Sequence, residues 1–176
     1  EKFLVGSKKN HILQQKAEKI FDLMEKFAGY GFNKSHSAAY AVISYHTAYL
    51  KSHFPLEFFG ALTTSEMGNA DKVLRYINDC RTMGIKILPP DVNVSQKDFT
   101  IADNQLIFGL GAIKNVGSAA IDSILETRTK VGRFSSLKEF CESVDLRVCN
   151  KRVIESLIKC GAFDSFNQSR AAMMNS

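Results

Sequence analysis

Two stretches of the chain gather residues able to hold an anion. In Gly29-Tyr30-Gly31-Phe32-Asn33-Lys34-Ser35-His36-Ser37-Ala38-Ala39-Tyr40, turn glycines stand beside a cation, hydroxyls, an imidazole and phenols. In Ile113-Lys114-Asn115-Val116-Gly117-Ser118, apolar residues flank an Asn and a Gly that suit a tight turn, and Ile121 follows to pack the turn down. Unsatisfied main-chain amides and the positive end of a helix dipole attract phosphate, and glycine permits close approach. Gly, Ser and Asn also build ordinary turns and caps, so residue types alone leave both readings open. The sequence carries no P-loop, no G-x-S-x-G and no H-E-x-x-H. Nor does it set an acidic pair beside a basic site, as two-metal phosphoryl transfer requires.

Composition narrows the classes. The chain has 176 residues with 45% hydrophobic and 23% charged content, the profile of one large or two small globular domains. Lys plus Arg number 23 against 18 acids, a net charge of +5 that is compatible with a polyanion partner. Cys80, Cys141, Cys149 and Cys160 form no C-x-x-C pair, so they read as reduced thiols in a cytoplasmic protein, with no metal site expected. The most apolar helix, about 38–50, contains Ser44, His46 and Thr47 and is too short for a membrane span. With Glu1 first and Met173-Met174-Asn175-Ser176 last, the sequence reads as a piece of something longer.

The elements that must position these stretches are mostly helices. Ala17, Ile20, Phe21, Met24, Phe27 and Ala28 fall on one helical face, which Gly29 ends. The next helix is apolar on two sides, which predicts burial between neighbours with His46 as a core histidine. Pro55 opens a third helix, and Asn69 caps a fourth that stops near Gly84. Pro89-Pro90 forbids helix, and a boundary is placed at this segment. Residues 99–101 and 105–108 alternate as a small hairpin about a polar turn. Short helices follow: 118–128, one behind the capping box Ser136-x-x-Glu139, one behind Asn150 that ends at Gly161, and a last one after Asn167.

The 113–118 turn resembles the helix-hairpin-helix motif, in which hairpin amides and a helix N-terminus take a DNA phosphate without reading bases. Asn115 stands where that motif usually has its first glycine, which Asn's tolerance of positive φ accommodates. Lys114, Lys130 and Arg133 are expected to add charge nearby. Residues 157–163 resemble a degenerate second copy with a packing role, preceded by Arg147, Lys151 and Arg152.

Longer blocks carry a wider resemblance. Residues 27–41, Tyr49-Leu50-Lys51, Pro55-x-Glu57-Phe58, Thr64-Ser65-Glu66-Met67, Leu88-Pro89-Pro90-Asp91-Val92-Asn93, residues 108–117 and residues 157–164 are similar, in order, to the bacterial C-family replicative DNA polymerases, the family of DNA polymerase III alpha subunits. The resemblance implies a mainly α fold: polymerase fingers over 1–84, an extended connector with a short β-hairpin over 85–108, and a tandem helix-hairpin-helix module over 109–176. It implies a DNA-directed DNA polymerase, a nucleotidyltransferase, as the parent protein, with this portion inactive by itself. Catalytic aspartates and Mg2+ would belong to a palm outside the chain. Expected partners are duplex DNA, primer-template, deoxynucleoside triphosphate and other replisome subunits, with no membrane. Asn33, Lys34, Ser35, His36 and Lys51 are expected to face nucleotide or template. Lys114, Asn115, Val116, Gly117, Ser118, Lys151 and Arg152 are expected to meet DNA phosphates. A free-standing, non-catalytic DNA-binding module is the alternative reading.

Overall fold

The computed structural model describes residues 1–30 and 34–175. The chain divides into two compact units, Glu1–Tyr49 and Leu50–Ser176. In the first unit, helix α1 spans Lys2–Lys9, α2 spans Gln14–Tyr30, and α3, Lys34–His53, begins. The rings of Phe3 and Phe21 pack with centroids 5.6 Å apart, joining α1 to α2. Beyond that contact the unit buries little: among its described residues only Ser7 and Ala17 are buried.

This corrects the expectation for α3. No residue of α3 is buried, His46 is exposed, and Tyr45 keeps 67% of its surface. Two apolar stripes say that a helix can be covered on two sides but not by what; here no described residue supplies the cover. Phe27 on α2 is likewise 71% exposed.

The second unit holds two cores. Helix α4 (Pro55–Ser65) starts on Pro55, whose missing N–H costs nothing in the first turn. Asn69 caps α5 (Ala70–Thr82) by accepting from the Lys72 amide. Phe59, Val73 and Cys80 from these helices meet Phe99 and Leu106. Strands β1 (Ile87–Leu88), β2 (Thr100–Ala102) and β3 (Gln105–Ile107) form a sheet of order β1-β3-β2. The expected hairpin is present: β2 and β3 are antiparallel, joined by Asp103 and Asn104 with φ of 48° and 58°, the pattern of a type I′ turn. The sequence reading missed the parallel β1–β3 pair, because a two-residue strand leaves no periodicity and its partner lies far along the chain.

A 3₁₀ turn at Leu110–Ala112 leads to α6 (Ser118–Val131), α7 (Leu137–Ser143), α8 (Lys151–Cys160), a second 3₁₀ turn at Asp164–Phe166, and α9 (Arg170–Asn175). Ile113, Val116, Ile121, Ile124, Leu157 and Ile158 share one core with Phe134, Phe140 and Phe163. The last three rings run edge to face, 5.0 and 4.9 Å between centroids. Asn93 fastens the approach to α7 by accepting from the Phe134 amide at 2.8 Å and donating to the Phe134 carbonyl at 3.0 Å. Arg128 donates to the Val92 and Ser95 carbonyls and, half-buried, has its pKa lowered by desolvation.

Candidate functional site

The 113–118 turn is built from the core outward. Ile113 and Val116 point inward and are buried, while Lys114, Asn115, Gly117 and Ser118 are exposed. Val116 therefore offers a ligand no side chain, and its amide already donates to the Ile113 carbonyl at 3.2 Å, so the expected phosphate contact from Val116 is not available. Asn115 has φ of 69°, in the left-handed region that its short polar side chain tolerates. Its Nδ2 donates to Ser156 Oγ on α8 at 3.2 Å, and Ser156 in turn donates to the Arg152 carbonyl. The hairpin is thereby tied to the middle of α8.

Gly117 is the N-cap of α6, with φ of −81° and ψ of 162°, and no side chain caps this helix end. By contrast Asn69, Ser136 and Asn150 accept from first-turn amides of α5, α7 and α8. Ala120 and Ile121 donate to the Gly117 carbonyl, but among the described residues the amides of Gly117, Ser118 and Ala119 find no acceptor. A Cβ on Gly117 would meet nothing within 4 Å. Backbone conformation and internal packing thus place no demand for glycine here. What the missing side chain leaves is open space over three free amides at the positive end of a 14-residue helix.

Cations surround this point unequally. Lys114 lies within the turn, and Lys97 reaches in from a different segment, its Nζ 2.8 Å from Ser118 Oγ. Ser156 and Lys159 of α8 line a cleft with Lys114 and Asn115, and Arg152 lies one turn before Ser156 on the same helix. Lys151 faces elsewhere, lining a separate cleft with Cys141 and Cys149. Lys130 and Arg133 do not join the hairpin. Lys130 sits in the last turn of α6, about 18 Å along the axis from Ser118 at 1.5 Å per residue, and Arg133 follows the Gly132 cap. Closeness in sequence across a helix is distance in space. Arg147 is matched to Asp145 by paired contacts at 3.0 and 2.7 Å, which hold the Asp145 carboxyl down at about 2.

The second hairpin differs. Gly161 takes φ of 88°, and a Cβ there would strike the Arg170 guanidinium and Asp164. Arg170 Nη2 pairs with Asp164 Oδ2 at 2.5 Å while Nη1 donates to the Lys159 carbonyl at the end of α8. Leu157, Ile158, Ala162 and Phe163 are buried.

Of the other expected residues, Asn33 lies outside the described residues. Lys34 is the first residue of α3, exposed with Ser35 and His36, and the His36 ring lies 4.3 Å from that of Tyr40. Lys51 stands over the Phe59 ring at 5.4 Å. Burial pushes the Cys80 and Cys149 thiols up to about 11, leaving them protonated and unreactive. Among the described residues no group of three His, Cys, Asp or Glu side chains converges as a metal would require, and no helix is long and apolar enough to cross a membrane.

Residues 84–173 match the family described as the helix-hairpin-helix motif. The chain is 51% identical over 175 residues to the DNA polymerase III subunit alpha of Vibrio cholerae serotype O1, and 50% identical to that of Escherichia coli strain K12. It is 48% identical over 176 residues to that of Thermus aquaticus. These alignments cover 99–100% of the chain but only 14–15% of each relative's length.

Proposed function

Because the chain belongs to the helix-hairpin-helix family, we propose that it grips the sugar-phosphate backbone of duplex DNA through the 114–118 hairpin, as part of a bacterial replicative DNA-directed DNA polymerase. The observation that carries this reading is the uncapped start of α6. The amides of Gly117, Ser118 and Ala119 find no acceptor among the described residues, and a Cβ on Gly117 would meet nothing within 4 Å. A phosphate oxygen seated there would accept from those amides along the helix dipole, with Lys114 as counter-charge. Nothing in that arrangement touches a base edge, so the grip is indifferent to sequence.

In this reading residues 1–84 belong to the fingers, 85–108 connect, and 109–176 form the tandem hairpin module. Lys34, Ser35 and His36, exposed at the start of α3, face nucleotide or template, with Lys51 behind them in the chain. A lysine at a helix N-terminus with no acid in the first turn concentrates positive charge, which suits a triphosphate. Nucleotidyl transfer and its Mg2+ are assigned to carboxylates elsewhere in the polymerase, and deoxynucleoside triphosphate and replisome subunits are partners of that whole.

Titrating the chain with short duplexes of different sequence, at salt from 50 to 200 mM, tests the grip. The expected result is weak binding of equal strength for every duplex that falls steeply with salt. Binding that depends on sequence, or that ignores salt, would defeat the reading.

A further inference from the structure

We propose that Lys97, a residue outside the hairpin, is a further phosphate ligand of the same DNA site; the inference rests on the reading of the 114–118 hairpin given above. Lys97 belongs to the loop between β1 and β2, 21 positions before Ser118. The main chain carries it to the hairpin by a built contact. Leu110 N donates to the Gln96 carbonyl and Gly111 N to the Lys97 carbonyl, both at 2.9 Å. The approach is close: a Cβ on Gly109 would lie 2.6 Å from the Asp98 carbonyl carbon, where only glycine fits, and one on Gly111 would crowd the Lys97 carbonyl oxygen at 3.0 Å. Gly109 and Gly111 thus serve to seat the 96–98 backbone on the lead-in to the hairpin. From that seat the Lys97 side chain reaches Ser118 Oγ at 2.8 Å, beside the free amides of α6.

The charges show why this is more than a structural tie. Ser118 is a neutral acceptor, with its own Oγ 3.4 Å from Asp122 Oδ2. Among the described residues no carboxylate lies within ion-pair range of Lys97. Holding an ammonium at the positive end of a helix opposes the dipole, and an anion bound by both the ammonium and the helix amides relieves that opposition. A DNA phosphate over Gly117 is such an anion. It would take the amides on one side and Lys97 Nζ on the other, as a point-charge contact.

Salt dependence separates a phosphate ligand from a structural hydrogen bond. Lys97→Gln keeps a donor for Ser118 and removes the charge; Lys97→Arg keeps the charge. Each phosphate contact contributes about 0.9 to the slope of log affinity against log salt. The slope for Lys97→Gln should therefore be shallower by about 0.9, so that its affinity deficit against the unsubstituted chain shrinks about threefold between 50 and 200 mM salt. Lys97→Arg should keep the original slope, and circular dichroism should show both variants folded. An unchanged slope in Lys97→Gln overturns the role of Lys97. If Gly117→Asp, run alongside, binds DNA as tightly as the unsubstituted chain, the hairpin reading itself fails and the Lys97 inference falls with it.

Discussion

The two hairpins of the second unit use glycine for opposite purposes. At Gly161 the backbone requires it: φ is 88°, and the side of the turn where a Cβ would project is filled by the Arg170–Asp164 pair. At Gly117 the backbone would accept any residue, and the position is empty on its outer side. A glycine that the fold does not need, at a helix end the protein leaves uncapped, is the mark of room kept for something else. A glycine plugged by an arginine and aspartate of the same chain is the mark of a turn that serves packing. One architecture therefore yields a candidate site and a buttress, and the difference lies in who satisfies the helix termini.

The largest expected effect falls on the buttress. Phe163→Ala removes a fully buried ring that meets Phe140 edge to face and stacks on Phe166, and it should lower unfolding free energy by about 3–5 kcal/mol in urea denaturation. Next comes the glycine exchange. Gly161→Ala should cost on the order of 1–3 kcal/mol, because it forces a left-handed alanine into Arg170. Gly117→Ala should cost less, about 0.5 kcal/mol, the difference between glycine and alanine as a helix cap. Duplex affinity should reverse that order, falling for Gly117→Ala and holding for folded Gly161→Ala. Equal losses of stability at the two glycines would erase the distinction.

Gly117→Asp sharpens it further, since an aspartate at this N-cap can accept from the first-turn amides that no side chain now uses. Asp outranks Gly as a cap by a few tenths of a kcal/mol, so the variant should melt slightly higher while binding duplex DNA less well. A parallel fall of both would point to damage in place of competition for the amides.

The smallest effect is the acid limb of stability. Arg147 holds Asp145 down to about 2, Arg170 lowers Asp164, and hydrogen bonds from Ser135 lower Glu139. A carboxyl with a depressed folded pKa stabilises fully above its unfolded value, near 4, and loses that contribution as pH falls through the folded value. Melting temperature should therefore be flat for these groups above about pH 5 and decline from about pH 4 towards 2. Asp164→Asn should flatten part of that decline. A decline as steep in Asp164→Asn as in the unsubstituted chain would remove the ion pair from the account of the second hairpin.

Much of this was legible in the sequence where local chemistry decides. Asn69, Ser136 and Asn150 cap the helices they were expected to cap, because an Asx or Ser ahead of an apolar period satisfies amides within three residues. Asp103-Asn104 makes the turn it was expected to make. What escaped depends on partners remote in sequence. β1 pairs with β3 across a segment that carries no pattern. Lys97 enters the hairpin through glycines whose purpose shows only when the backbones meet. Lys130 and Arg133 looked close because one helix hides its own length. α3 reads as a core helix and is exposed, since an apolar surface does not name its cover.

In the proposed grip, duplex DNA touches the first hairpin and spares the second. Backbone amide shifts of the isotopically labelled chain, followed during titration with a mixed-sequence duplex at low salt, test it most directly. The shifts should concentrate at Asn115–Ala119 and Lys97, and Gly161–Phe163 should stay where they are. Shifts centred on Gly161–Phe163, or none at Gly117 and Ser118 at saturating DNA, would contradict it.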